Sequence, residues 1–338
     1  MGTLGRWGRL GILPVTLGSF AVAALLAPAG RAEPGILLGA LVVFGYVGHV
    51  AATAWLGLLP EIRANARAHP ARFLLAPGLL VAGAAAVTAA VPTAEFGWLL
   101  LGYFAWQFVH FQKQNLGLVA LSGSARRAPS LRPAERRAVL AAGGCGIAGL
   151  LAHPALLGLT VDTRLGPLFP VAGLALAATI GAGVVVLARR SPGERPAAFV
   201  GSYLAALCFF APVFLFASPF AAVGGMVLAH GFQYLSLLRL LAAGNGPAQS
   251  REPSRPVRLA LLANAALAGG IGLNALSQLH RNPGLVPRAL YGAYLGLVMA
   301  HFVVDARIWR LRDEFPRAFL SGRLPGLVGP APQVPAAS

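Results

Sequence analysis

The chain has 338 residues, of which 57% are hydrophobic and 11% charged, and its mean hydropathy is +0.70. Soluble domains carry about 25% charged residues, so this composition excludes an ordinary soluble domain and indicates a polytopic membrane protein. The formal net charge is +17, but the arginines cluster between apolar segments, as the positive-inside rule expects. We therefore expect a lipid bilayer rather than a nucleic acid as partner, and a multi-pass location in a bacterial-type inner (cytoplasmic) membrane.

Apolar stretches close to the length that spans a bilayer, about 20 residues, recur along the whole chain. The sequence predicts an all-α bundle of about ten transmembrane helices, at approximately 10–28, 35–60, 73–91, 96–121, 138–153, 167–188, 197–217, 219–242, 257–278 and 287–306. With the N-terminus placed in the cytoplasm, 22 arginines fall in inside segments and 4 in outside segments. This asymmetry predicts that both termini are cytoplasmic.

The segments that remain are short and polar. We expect a single transmembrane domain at 1–324, with the Ser-, Pro- and Arg-rich segments 122–137 and 243–257 as cytoplasmic loops. A short interfacial helix is predicted within 307–320. The low-complexity segment 325–338 is predicted to be a disordered tail.

Four histidines lie at nearly matched depths in four of the predicted helices: His49, His110, His230 and His301. All four helices run from outside to inside, and each histidine follows the predicted outer end of its helix by 11 to 14 residues. At about 1.5 Å rise per residue, the four side chains share one layer. Ionisable groups at such depth are costly and usually serve a site in the bundle interior.

A second set of polar residues follows these histidines by three or four positions, on the same helix faces. Its members are Thr53, Lys113, Gln114, Gln233, Tyr234 and Asp305. We expect them to act as hydrogen-bond partners or as a relay. Lys113 and Asp305 share a depth, so they are predicted to pair.

Neutral imidazole binds iron, copper, zinc and nickel, so the four histidines are predicted to ligate a metal ion, with iron as first choice. Haem with axial histidines is an alternative, as is a structural role in which each imidazole only hydrogen-bonds a neighbouring helix. The other histidines, His69, His153 and His280, fall in loops or at helix ends and are expected at the surface.

Three segments, FVHFQKQNLG (108–117), HGFQYL (230–235) and HFVVDARIWR (301–310), read as the signatures of a multi-span family. In these segments and in general plan the chain resembles the Brp/Blh-type β-carotene dioxygenases. The resemblance implies a polytopic protein that binds one iron through membrane histidines. Members of that family are expected to have two histidines four residues apart within one helix, and this chain has no such pair.

The first functional hypothesis is an integral-membrane metalloprotein, an oxygenase or other oxidoreductase that acts on a lipid-soluble small molecule. The second is a transporter or proton relay that uses intramembrane His, Lys and Asp. The third is a structural membrane protein whose polar layers only hold helices together.

Overall fold

A computed structural model describes residues 11–29, 33–125, 128–244 and 253–324, and these ranges contain helices and no β-strand. The helices are α1 (Ile12–Leu26), α2 (Ile36–Leu58), α3 (Pro60–Ala68), α4 (Ala71–Ala90), α5 (Phe96–Ala125), α6 (Pro133–Ala152), α7 (Leu168–Ala188), α8 (Ala197–Leu207), α9 (Ala211–Leu215), α10 (Phe220–Ala243), α11 (Arg255–Ser277), α12 (Leu285–Ile308) and α13 (Glu314–Arg323). The predicted all-α class is confirmed. The predicted disordered tail at 325–338 lies outside the described residues.

Six of the described helices are long and apolar enough to cross a membrane: α2, α4, α7, α10, α11 with its short extension to Arg281, and α12. The helices α1 and α8 are apolar but shorter. This supports a multi-pass membrane protein. Many large apolar side chains of these helices face outward, for example Leu25, Ile36 and Leu174, as expected of surfaces that contact lipid.

Two helix boundaries differ from the sequence prediction because of proline. The predicted span 197–217 is broken, since α8 ends at Leu207 and α9 begins at Ala211. Pro212 lacks the N–H that would bond the carbonyl four residues earlier, and its ring clashes there. Pro60 likewise begins a new amphipathic helix, α3, which the sequence prediction missed. The helix expected within 307–320 is shorter and later, as α13.

Close backbone contacts at glycines join α10 and α12 to neighbouring helices. On α12, a Cβ at Gly296 would lie 2.5 Å from the Cα of Val81 on α4. On α10, a Cβ at Gly231 would lie 1.7 Å from the carbonyl oxygen of Gly45 on α2. Small residues permit such approaches in membrane bundles. The contact between α2 and α10 matters most, because each of these helices carries a histidine beside it.

Ion pairs tie the loops and short helices together on the arginine-rich side. Glu135 at the start of α6 pairs with Arg190, which is fully buried and also donates to the carbonyl oxygens of Pro129 and Ser130. The Glu135 carboxylate raises the pKa of the Arg190 guanidinium above its usual range. A second pair joins Arg323 of α13 to Glu61 of α3 at 2.7 Å. These contacts join α6 to the segment that follows α7, and α13 to α3.

Candidate metal centre

The four histidines predicted to form a site do converge in space. His49 on α2, His110 on α5, His230 on α10 and His301 on α12 are all buried, with exposed fractions of 1–8%. Their rings contact one another in a closed circuit, with centroid separations of 4.8 Å (His49–His230), 5.1 Å (His230–His110), 5.3 Å (His110–His301) and 5.1 Å (His301–His49). Neighbouring rings are steeply inclined, at 69–87°. We call these four residues the histidine layer.

Irregular turns of α2 present His49 to this layer. A π-helical turn, Phe44–Gly48, precedes the histidine, and a 3₁₀ segment, Thr53–Leu58, follows one turn later. Such π turns are frequent at functional sites. The carbonyl oxygen of Gly45, in the π turn, accepts a 2.6 Å hydrogen bond from Nδ1 of His49. This bond assigns the proton to Nδ1 and leaves the lone pair of Nε2 directed away from the helix backbone.

Most of the other ring nitrogens in the histidine layer are buried without a hydrogen-bond partner. They are Nε2 of His49, of His110 and of His301, and both ring nitrogens of His230. Buried polar atoms in folded proteins are nearly always hydrogen-bonded, and an unsatisfied one costs about 1–3 kcal/mol. These five nitrogens lie in one place, where they could serve as ligand atoms.

The nitrogens are spaced for metal coordination. One ligand atom from each of His49, His230 and His301 lies within 4.8 Å of the other two, and the same holds for His110, His301 and Asp305. Bonds of about 2.0–2.2 Å would place ligand nitrogens about 3–4 Å apart. These are two overlapping sets of three ligand atoms that share His301, and neither set contains all four histidines.

Two phenylalanines fix the planes of the histidine rings, and sequence reasoning missed both. Phe111 stacks on His230 with centroids 3.8 Å apart and planes inclined by 17°. Phe302 stacks on His110 at 4.2 Å and 21°. Each phenylalanine directly follows another histidine of the layer, at positions 110 and 301. No sequence pattern indicates this stacking, because stacking across helices depends on which helices are neighbours.

Three of the residues predicted to lie one turn beyond the histidines form a hydrogen-bonded network. The Thr53 hydroxyl is 2.8 Å from Nδ1 of His301 and 3.0 Å from the hydroxyl of Tyr234. Tyr234 donates to Oδ1 of Asp305 at 2.8 Å. Oδ2 of Asp305 lies 3.5 Å from Nε2 of His301. Thr53, Tyr234 and Asp305 are therefore brought together against the ring of His301.

The other three predicted partners are placed differently. Gln114 donates to the backbone carbonyl of His230 at 3.1 Å, so it supports the helix rather than a ring. Gln233 donates to Thr16 on α1 at 2.8 Å, which ties α10 to its neighbour. The predicted pair of Lys113 with Asp305 is wrong: the Lys113 side chain is exposed and Asp305 contacts Tyr234 and His301 instead.

On the other side of the histidine layer, tyrosines form a second buried cluster. The hydroxyls of Tyr46 and Tyr103 are 2.8 Å apart, and Tyr46 also donates to Oε1 of Gln107 at 3.3 Å. Tyr291 and Tyr294 pack beside them. Tyr46 and Gln107 each precede a histidine of the layer by three residues, a spacing that would have revealed them.

The three remaining histidines are exposed, as the sequence predicted: His69, His153 and His280. The histidine layer is thus the part of the described chain where imidazoles gather.

Comparisons of the chain with protein-family models, curated proteins and solved structures find no match.

Proposed function

We propose that this protein is an integral-membrane metalloprotein that holds one metal ion, iron, through His49, His110, His230 and His301. The single observation that carries the proposal is the closed circuit of four buried rings whose Nε2 atoms, or both nitrogens for His230, lack hydrogen-bond partners. Neutral imidazole is a suitable ligand for iron. Binding of the ion would remove the free-energy penalty of leaving those buried nitrogens without partners.

The proposed activity is oxidation of a lipid-soluble substrate. Iron held by these four imidazoles would supply redox chemistry with dioxygen. The protein's part is to fix the rings through Phe111, Phe302 and Thr53, and to keep water out of a buried site. The outward-facing apolar surface of α2, α7 and α11 makes the bilayer the natural source of substrate.

The geometry favours an ion over haem. Each histidine ring contacts two others at 4.8–5.3 Å between centroids, and two rings are also covered by stacked phenylalanines. A porphyrin plane would have to separate these rings completely. The packing of the four histidine rings suits one ion between them rather than a flat porphyrin.

A proton relay is the second candidate, and one observation favours it. His301, Thr53, Tyr234 and Asp305 form a continuous hydrogen-bonded chain on the arginine-rich side of the layer. Such chains mark proton paths in membrane proteins. Proteoliposomes would distinguish the candidates, because a relay predicts proton flux that Asp305→Asn abolishes in metal-free protein.

The proposed setting is a bundle of ten transmembrane helices in a bacterial inner membrane, with both termini cytoplasmic. The ten predicted segments each overlap α1, α2, α4–α8 or α10–α12, with α9 completing the seventh span. This arrangement places the ion pairs of Arg190 and Arg323 on the cytoplasmic side, where the arginines are concentrated.

The test of the metal centre is elemental analysis of protein purified in mild detergent. We expect about one iron per chain, and each of the four His→Ala variants should bind at least about 100-fold more weakly, since even hydrogen-bond partners of ligands contribute 10–100-fold. His153→Ala, at an exposed histidine, is the matched control. If folded His→Ala variants kept an unchanged metal content, the histidine layer would serve only to pack the helices.

A separate measurement tests the activity. Iron-loaded protein should consume dioxygen when supplied with unsaturated lipids extracted from a bacterial membrane, and His230→Ala should not. Metal binding without any oxygen uptake on such lipids would refute the oxygenase assignment while leaving the metal centre standing.

A further inference from the structure

We propose that Asp305 is a fifth protein ligand of the metal ion; this inference rests on the proposed function. The sequence places Asp305 only as a hydrogen-bond partner or relay residue. In the structure its carboxylate is 3% exposed, and a carboxylate oxygen lies within 4.8 Å of ligand nitrogens of both His110 and His301. The carboxylate therefore borders the same space as the imidazoles.

The carboxylate is oriented for ligation. Its Oδ1 accepts the hydrogen bond of Tyr234 at 2.8 Å, and Tyr234 is in turn 3.0 Å from Thr53. This leaves Oδ2 on the side of the histidine layer, 3.5 Å from Nε2 of His301. Carboxylates that bind metals are commonly held in this way, with a hydrogen bond fixing their orientation.

The charge of Asp305 also favours a cation at this point. Within the described residues, its side chain meets the phenol of Tyr234, the indole of Trp309 and the imidazole of His301, none of which is a fixed cation, and Lys113 is exposed on α5. A buried ionised carboxylate is strongly unfavourable, so such a group either keeps its proton or pairs with a cation. A divalent ion between the histidine rings and Oδ2 would compensate it directly.

The two groups of candidate ligand atoms share His301, which raises the choice between one ion and two. Nδ1 of His301 is engaged with the Thr53 hydroxyl at 2.8 Å. His301 thus has one nitrogen, Nε2, to give, and cannot bridge two ions while this bond persists. We therefore infer a single ion with four nitrogen ligands and one oxygen ligand, and one position left open on a six-coordinate metal.

This ligand set narrows the class of metal. Four imidazoles alone would suit Cu²⁺ or Ni²⁺ in a tetragonal site, whereas an added carboxylate favours harder ions such as Fe²⁺ and Mn²⁺. The carboxylate also lowers the net charge of a divalent site to +1, which eases its burial in the bilayer.

Cobalt(II) is the probe, because its ligand-field absorption reports coordination number. Wild-type protein in detergent should bind one Co²⁺ per chain with a five- or six-coordinate spectrum. Asp305→Ala should bind at least about 100-fold more weakly, more than the 10–100-fold of a hydrogen-bond partner, and give the more intense spectrum of four-coordinate cobalt. Tyr234→Phe should lose about 10-fold and keep the wild-type spectrum.

Asp313→Ala, at a partly exposed carboxylate after α12, is the control and should match wild type. If Asp305→Ala fails to fold, Asp305→Asn serves, and its cobalt bands should shift because a carboxylate ligand is lost. A wild-type spectrum and affinity in a folded Asp305 variant would overturn this proposal alone, as would two Co²⁺ per chain. No cobalt binding by the wild-type protein would instead overturn the metal function itself.

Discussion

Replacing Gly231 by alanine tests how tightly the site depends on helix packing. The added Cβ would lie 1.7 Å from the carbonyl oxygen of Gly45, and real Cβ contacts are essentially never under 3.0 Å. The backbones of α2 and α10 must therefore separate locally by about 1.3 Å or more. That same carbonyl positions the ring of His49, and His230 is the residue next to Gly231. The displacement far exceeds the ±0.2 Å tolerance of metal–ligand bonds.

We expect Gly231→Ala to lose most of its bound metal and to lower the free energy of unfolding by about 1–3 kcal/mol, as overpacking does. The measurements are metal content and thermal unfolding in detergent. Gly102→Ala is the matched control: Gly102 also lies on a histidine-bearing helix, but its Cβ would meet nothing within 4 Å. It should keep its metal and gain about 0.4–1 kcal/mol. Full metal content and unchanged stability in Gly231→Ala would refute the reasoning.

Three further predictions address the site, the loops and the topology. Thr53→Val removes the hydrogen bond to His301 at nearly constant volume, so we expect metal affinity to fall about 10–100-fold with the fold intact; an unchanged affinity by cobalt titration would show that the hydroxyl does not orient the ring. Glu135→Gln strands the buried Arg190 and should lower the free energy of unfolding by about 3–5 kcal/mol, without altering the metal spectrum of the folded fraction, as thermal unfolding and absorption would report. Reporter fusions in the two loops predicted to be cytoplasmic should report cytoplasm, and one after residue 160 should report the outside; an outside signal from either loop would contradict the ten-helix topology.

The depth of the site could be predicted from the sequence, but the direction of each side chain could not. Lys113 and Gln114 follow His110 by three and four residues, and both are within one turn of it. At about 100° per residue, they lie on opposite sides of the histidine's direction. The bundle places Gln114 against the backbone of His230 and leaves Lys113 exposed. Lys113 was predicted to pair with Asp305 because the two residues share a depth in the bundle. The orientation of α5 about its own axis instead exposes the Lys113 side chain.

The sequence also could not predict that the four histidine-bearing helices are neighbours. It depends on backbone contacts such as that of Gly231 with Gly45, and a glycine that permits a close approach looks the same in sequence as the many glycines that meet nothing. Phe111 and Phe302 were missed for the same reason. What the sequence did carry was the repeated interval between each histidine and a polar residue one turn later, and for Thr53 that interval led to a direct contact with the layer.

The π turn at Phe44–Gly48 determines the direction in which the His49 side chain points. A π turn holds one more residue than an α turn, so the part of α2 after it is rotated by about 100° relative to an uninterrupted α-helix. The N-terminal part of α2 can thus expose Ile36 and Leu37 on the outside of the bundle, while the part after the turn still directs His49 toward the other histidines. Substitutions that restored α-helical bonding through this turn without removing a residue would swing the imidazole out of the circuit, whereas deleting one residue would regularise the helix and keep the direction of His49. The inward direction of His49 thus depends on one extra residue in the preceding turn, and not only on the histidine itself.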